Sequence, residues 1–142
     1  MIEIKEQSLS ERLKKQIYEG FSRHAIAITG HDEKFDAVAF VANAKRDSFA
    51  GAIVVELFWG ALHVKYVYVE EEYRGHGVAT KLMQHALAYG QDNRCPFAFV
   101  ETMSFQALGF YLKMGFELEF TRSGYMYETS FHYLRKELLI RK

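Results

Sequence analysis

The run Arg74-Gly75-His76-Gly77-Val78-Ala79 carries the clearest chemistry in this sequence. It joins an apolar stretch, Tyr66–Val69, and an acidic turn, Glu70–Glu72, to a segment that reads as an amphipathic helix. Glycine lacks a Cβ, so Gly75 and Gly77 let the backbone turn tightly and approach a ligand closely. The first N–H groups of the following helix have no partner within it and point back at the loop. With the positive end of the helix dipole they make an anion cradle, and the ligand expected there is phosphorylated. Thr80 offers a hydroxyl to a phosphate oxygen. A Gly-x-Gly at a strand–helix junction also serves as a plain tight turn, so the loop alone is not decisive.

Two familiar phosphate motifs do not fit. A Walker-type loop needs four residues between its glycines and then Gly-Lys-Ser/Thr, a spacing this chain lacks. A dinucleotide fingerprint needs a third glycine where Thr80 stands, an acidic residue about 20 positions on, and a place after the first strand of a βαβ unit.

Composition narrows the classes further. At 142 residues, 49% hydrophobic and 15% aromatic, one well-packed domain spanning residues 1–142 is expected. Lys+Arg and Asp+Glu balance at 18 each, so the net charge is zero and nothing draws the chain toward nucleic acid or an anionic membrane. The single cysteine, Cys95, excludes an internal disulfide and a multi-cysteine metal site. Followed by Pro96 and an apolar run, it reads as a buried structural thiol. No metal is expected. The N-terminus has no signal-peptide core and no apolar run approaches membrane-spanning length, so a cytoplasmic location is expected.

The elements that must position the loop follow from periodicity. Ile2 and Ile4 alternate with charges and suggest a short opening strand. Ser8 and Glu11 have capping-box spacing, and Leu9, Leu13, Ile17 and Phe21 recur at helical intervals, so a helix is expected from about Leu9 to Phe21, with a further turn through Ile28. Residues 35–42, 49–58 and 62–69 read as three strands with short links, an antiparallel meander. The helix after the loop carries Val78, Leu82, Ala86 and Tyr89 on one face and is expected to stop near Gly90. Pro96–Val100 is a short strand which a right-handed crossover lays parallel to the third meander strand. A helix over Phe105–Met114 and strands over Phe116–Thr121 and Phe131–Leu138 complete the chain. The fold class is α+β: a mixed, mostly antiparallel twisted sheet of six to seven strands flanked by helices, with a parallel β-α-β core at the loop.

Two motifs in this order resemble a known family. Arg74-Gly75-His76-Gly77-Val78-Ala79 matches the Arg/Gln-x-x-Gly-x-Gly/Ala pattern of the GNAT superfamily of N-acetyltransferases. Ala107-Leu108-Gly109-Phe110-Tyr111-Leu112-Lys113-Met114-Gly115-Phe116 is similar to that family's later signature, roughly Ala-x-x-Phe-Tyr-x-x-x-Gly-Phe. The resemblance implies an acetyl-CoA-dependent N-acetyltransferase acting on a primary amine of a small molecule or peptide, by direct attack in a ternary complex. A non-catalytic acyl-CoA-binding sensor on the same fold is the alternative.

The same resemblance distributes roles. Backbone N–H groups from Arg74 to Ala79 would hold the CoA diphosphate, with His76 at a variable and solvent-facing position. Val67, Tyr68 and Val69 would lend main-chain groups to the pantetheine arm and the acetyl carbonyl, because in this family that strand splays from its parallel neighbour. Tyr111 aligns with the tyrosine that protonates the departing thiolate. Ser104 stands where many members carry an asparagine that contacts the cofactor arm. Glu101 is the first candidate for the general base, with Glu70 and His63 behind it. The acceptor pocket is expected among the first helix, Trp59, and the loop bearing Tyr125, Tyr127 and Glu128, a mixture suited to a cationic amine. A homodimer across an exposed strand or aromatic tail is a further possibility.

Overall fold

The computed structural model describes residues 1–32 and 36–138. The chain divides into two compact units, Met1–Lys34 and Phe35–Lys142.

The first unit is built on one helix, α1 (Glu11–Thr29). Ser10, not Ser8, caps it, its side chain accepting the Leu13 N–H at 3.1 Å. Gly30 closes it in the left-handed region, its N–H bonded to the Ile26 carbonyl. No proline interrupts the stretch, so the two expected pieces merge into one 19-residue helix. The expected opening strand does not form. Residues 1–10 hold no regular element, and Ile2 and Ile4 are almost fully exposed. Two apolar residues in alternation bury too little to hold a strand without a ladder partner.

The second unit contains β1 (Ala37–Asn43), β2 (Phe49–Phe58), β3 (Ala61–Val69), α2 (Val78–Asp92), β4 (Phe97–Met103), α3 (Leu108–Lys113), β5 (Glu117–Arg122) and β6 (Phe131–Glu137). The six described strands form one sheet in the order β1-β2-β3-β4-β6-β5, antiparallel except for the β3–β4 pair. The expected start of β1 at Phe35 lies outside the described residues. The sheet and α2 share a core of Ile53, Val55, Leu62, Val64, Leu82, Met83, Ala86, Ala98, Val100 and Leu134. Burying such side chains contributes about 1.5–3 kcal/mol each, which holds α2 and its N-terminal loop against the strands. Cys95 is buried there as a free thiol. No helix among the described residues is long and apolar enough to cross a membrane.

Two glycines have packing roles. Helix α2 does not stop at Gly90 but runs on to Asp92, because Gly90 faces the core. A Cβ there would meet Leu62 Cδ2 at 2.9 Å and Leu138 Cδ1 at 3.1 Å. At Gly51 a Cβ would lie 2.6 Å from the Tyr68 carbonyl oxygen, so only glycine lets β2 pair closely with the end of β3.

Candidate active site

Strand β3 ends at Val69, and a short 3₁₀ turn, Glu71–Tyr73, leads into the glycine loop. Gly75 and Gly77 take φ of +81° and +79°, where a side chain is strained. Gly77 is the N-cap of α2 and offers no side chain to the first turn. Its carbonyl accepts the Lys81 N–H at 3.1 Å, which starts the helix immediately after the loop. The result is a cavity of about 230 Å³ walled by Val69, Arg74, Gly75, Gly77, the Val78–Thr80 turn and Phe110 of α3. His76 is exposed and forms no part of that wall. Arg74 has a structural duty as well: its Nε donates to the Val69 carbonyl at 2.8 Å, tying the loop to the end of β3. Its guanidinium lies 5.8 Å from the centre of the Tyr68 ring.

Beside this cavity the sheet opens. The parallel ladder joins only Leu62, His63 and Val64 of β3 to Ala98, Phe99 and Val100 of β4. A register shift between Val54 and Val55 places a bulge at Lys65, since Val55 pairs with Val64 and Val54 with Tyr66. Bulges bend a strand and end pairing locally. Beyond it Tyr66–Val69 keep their β2 partners but have none on β4. On the β4 side their main-chain groups have no ladder partner, and the Val69 carbonyl takes the Arg74 Nε instead. This is backbone geometry, and it suits an extended polar ligand that pairs as a strand would.

Glu101 comes just after the last residue of the β3–β4 ladder, and Tyr111 lies on α3 next to Phe110 of the cavity wall. Tyr111 is buried on α3 between the rings of Phe110 and Phe116, at 5.5 and 5.8 Å between centroids. Burial, reinforced by the Glu101 charge, pushes its phenol up to about 12. Glu101 follows Val100, the last residue of the β3–β4 ladder, and lies opposite Tyr133 of β6. Burial and the Glu101 charge thus act together to keep the proton on the Tyr111 phenol.

Glu101 is also tied to His63, its Oε2 being 2.9 Å from His63 Nε2. The other ring nitrogen, Nδ1, is 3.5 Å from Oε1 of Glu56, and Lys65 Nζ is 3.5 Å from Oε2 of Glu56. The imidazole stacks on Phe99 at 4.4 Å, with ring planes 2° apart. Burial lowers the His63 pKa most, but the two carboxylates outweigh it and leave the pKa raised above 6.5. Two of the three base candidates are therefore one hydrogen-bonded group. Glu70 stands apart, accepting the Tyr68 hydroxyl at 3.3 Å.

The remaining positions separate. Met103 of β4 pairs with Phe131 of β6, so the β5–β6 loop with Tyr125 and Tyr127 lies at the end of the sheet where β4 leaves β3. Tyr125 packs edge-on to Phe131 at 6.2 Å, and Tyr127 is almost fully exposed with a positive φ. Trp59 sits instead in the β2–β3 turn, before the first ladder residue Leu62, at the opposite end of β3 from the opening. The Ser104 hydroxyl already serves the fold. It accepts from the Ser130 N–H at 3.0 Å and lies 2.9 Å from His132 Nε2, joining the ends of β4 and β6. Sequence reasoning missed Glu56 and Phe110. A lone acid within the apolar strand 49–58 was the signal for the first, and the second motif contained the other. Among the described residues, no group of three or more His, Cys, Asp or Glu side chains is placed to hold a metal ion.

Comparison with known proteins agrees with this geometry. The model of the acetyltransferase (GNAT) family matches residues 6–116. Blasticidin-S acetyltransferase of Streptomyces morookaense is 34% identical over 104 residues, covering 72% of this chain and 76% of that protein. A crystal structure of a proposed acetyltransferase from Agrobacterium tumefaciens has a TM-score of 0.87 at 23% identity, covering 97% of this chain and 100% of its own. A proposed streptothricin acetyltransferase from Bacillus anthracis, solved in complex with acetyl coenzyme A, has a TM-score of 0.66 at 20% identity, covering 78% of this chain and 67% of its own. The family match spans both motifs and most of the chain: this protein belongs to the GNAT family of acetyltransferases.

Proposed function

We propose that this protein is an N-acetyltransferase that moves the acetyl group of acetyl-CoA directly to a primary amine of a small molecule or peptide. The observation that carries the reading is the unpaired edge of β3 over Tyr66–Val69, leading straight into the glycine cavity. Main-chain groups of Val67–Val69 would pair with the pantetheine arm, and an N–H near Val69 would polarise the thioester carbonyl. The diphosphate would rest on the N–H groups of Gly75–Thr80, assisted by the α2 dipole. The family match runs across the boundary of the two compact units, which supports one catalytic domain.

The chemistry divides between the coupled pair. Glu101 takes a proton from the acceptor ammonium, freeing the lone pair that attacks the thioester. The tetrahedral adduct then expels the thiolate; Tyr111 gives the sulfur a proton, and the nitrogen, on becoming an amide, sheds its second proton back to the Tyr111 oxygen. With a phenol near 12 and an ordinary thiol near 8.5, the transfer to sulfur runs uphill while Glu101 is charged. Protonating Glu101 removes the second cause of the raised phenol pKa, so Tyr111 becomes a better acid once the base has done its work. The acceptor would approach past Tyr66, Tyr68 and the Tyr125–Tyr127 loop, whose aromatic faces and nearby carboxylates favour a cation.

A mass-spectrometric panel of primary amines with acetyl-CoA tests this reading. At least one amine should gain an acetyl group, and Tyr111→Phe should lower kcat by roughly 10²-fold while leaving acetyl-CoA affinity near wild type. Tight acetyl-CoA binding with no acetylated amine, and no effect of Tyr111→Phe, would favour the sensor instead.

A further inference from the structure

We propose that Arg122 holds the carboxylate of an acceptor that carries both an amine and a carboxylate, with the amine at Glu101. The inference rests on the acetyl-transfer reading and narrows its acceptor to a short amino carboxylate, from an amino acid to a dipeptide. Side chains alternate across a strand, so the neighbours of the buried Val100, Thr102, His132 and Leu134 look away from the α2 core. Glu101, Phe131 and Tyr133 therefore share the open face of the sheet. Glu101 pairs with Tyr133 across β4 and β6, and Tyr133 with Phe120 across β6 and β5. Arg122, paired with Phe131, lies on that face too. Its guanidinium is 5.9 Å from the centre of the Phe120 ring and 5.8 Å from that of Tyr133.

The cations of this face differ in what they hold. Lys65 Nζ is 3.5 Å from Glu56 Oε2, and Arg135 Nε is 2.6 Å from Glu137 Oε1. Among the described residues Arg122 pairs with no carboxylate. Its partners are the two rings and the Tyr125 oxygen, to which it donates. Tyr125 packs in turn on Phe131, and Phe131 on Tyr133 at 5.1 Å, so the guanidinium is framed by aromatic side chains. Rings hold an arginine in place without neutralising it, which leaves its planar fork for an outside anion. A single guanidinium matches the single charge and two coplanar oxygens of a carboxylate.

Spacing sets the size of the ligand. Directly opposed residues on neighbouring strands lie about 5 Å apart. Adding the 5.8 Å from the Tyr133 ring to the guanidinium puts the Glu101 and Arg122 charges within roughly 11 Å of each other. A hydrogen bond of about 3 Å at each end leaves roughly 5 Å between the acceptor's amine and its carboxylate. An extended chain covers about 3.5 Å per residue, so an amino acid with a short spacer or a dipeptide fits and a long peptide overshoots.

Matched acceptors read the clamp. 4-Aminobutyrate and glycylglycine, each beside its own terminal amide, differ only in the anion. Wild type should use the carboxylates with kcat/KM at least 10-fold above the amides. Arg122→Gln should bring that ratio near one, by raising KM for the carboxylates 10- to 100-fold while their kcat changes little. Arg122→Lys, which keeps the charge and loses the fork, should retain part of the preference. A merely structural arginine would lower carboxylate and amide alike. Arginine side-chain NMR gives a readout without turnover: the Arg122 Nε resonance should shift with the N-acetylated carboxylate product and stay in place with the N-acetylated amide. If Arg122→Gln does not fold, the wild-type ratio and this NMR shift still decide. Equal use of acid and amide, activity confined to amines without a carboxylate, stronger use of an aminoalkyl phosphate, or a preference that survives in Arg122→Gln overturns the clamp alone. A wild type that binds no acetyl-CoA overturns the acetyl-transfer reading instead.

Discussion

At the scale of single residues, Tyr111 is the proposed acid and Glu101 the proposed base, and the fold changes the first of them by burial. Folding raises the Tyr111 phenol to about 12 from an ordinary value near 10, so the folded chain holds this proton where the unfolded chain has lost it. Stability from this difference is full below pH 10 and is lost as pH rises toward 12. The whole effect is about 2–3 kcal/mol, so alkaline unfolding of Tyr111→Phe should be less pH-dependent than wild type by roughly that amount, measured by denaturant titration at pH 9 and pH 12. His76 makes the opposite case. Exposed and absent from the cavity wall, it should be replaceable: His76→Ala should change acetyl-CoA affinity less than twofold by calorimetry. Most of the glycine cavity was legible in the sequence because its walls from Val69 to Thr80 are contiguous, Phe110 of α3 being the exception. The Glu101–His63–Glu56 group was not, since its members come from three strands and meet only through register.

At the scale of elements, the bulge at Lys65 and the short β3–β4 ladder create the opening, and Gly51 supports it from the other side. A Cβ at Gly51 would strike a backbone carbonyl, which cannot rotate aside as a side chain would. Gly51→Ala should therefore cost about 1–3 kcal/mol of stability in denaturant titration and weaken acetyl-CoA binding, because it displaces the Tyr68–Val69 edge. The β1-β2-β3 meander and the parallel β3–β4 crossover could be read from periodicity and chain direction, whereas the place of β6 between β4 and β5 could not. The opening itself could not, since a missing ladder leaves no mark on side-chain pattern. Trp59 shows a related limit. Its type suits an amine pocket, but the direction of β3 puts it at the far end of the sheet. Gly90 likewise looks like a helix stop until the contacts of Leu62 and Leu138 explain it.

At the scale of the whole molecule, the net charge of zero leaves recognition to local geometry. Ligand binding should then appear as stabilisation. At 100 times its dissociation constant, acetyl-CoA adds about 2.7 kcal/mol, which for a chain of this length raises Tm by roughly 9 °C in calorimetry. The neutral chain also predicts that this shift survives in moderate salt, since in the proposed site backbone N–H groups would bear most of the diphosphate contact.

The central claim is that the free edge of β3 and the loop after it hold acetyl-CoA. Amide hydrogen exchange with and without saturating acetyl-CoA tests it most directly. Slower exchange concentrated at Val67–Val69 and Gly75–Thr80 is the predicted result. Unchanged exchange in both segments at millimolar acetyl-CoA, or protection confined to other strands, would contradict it.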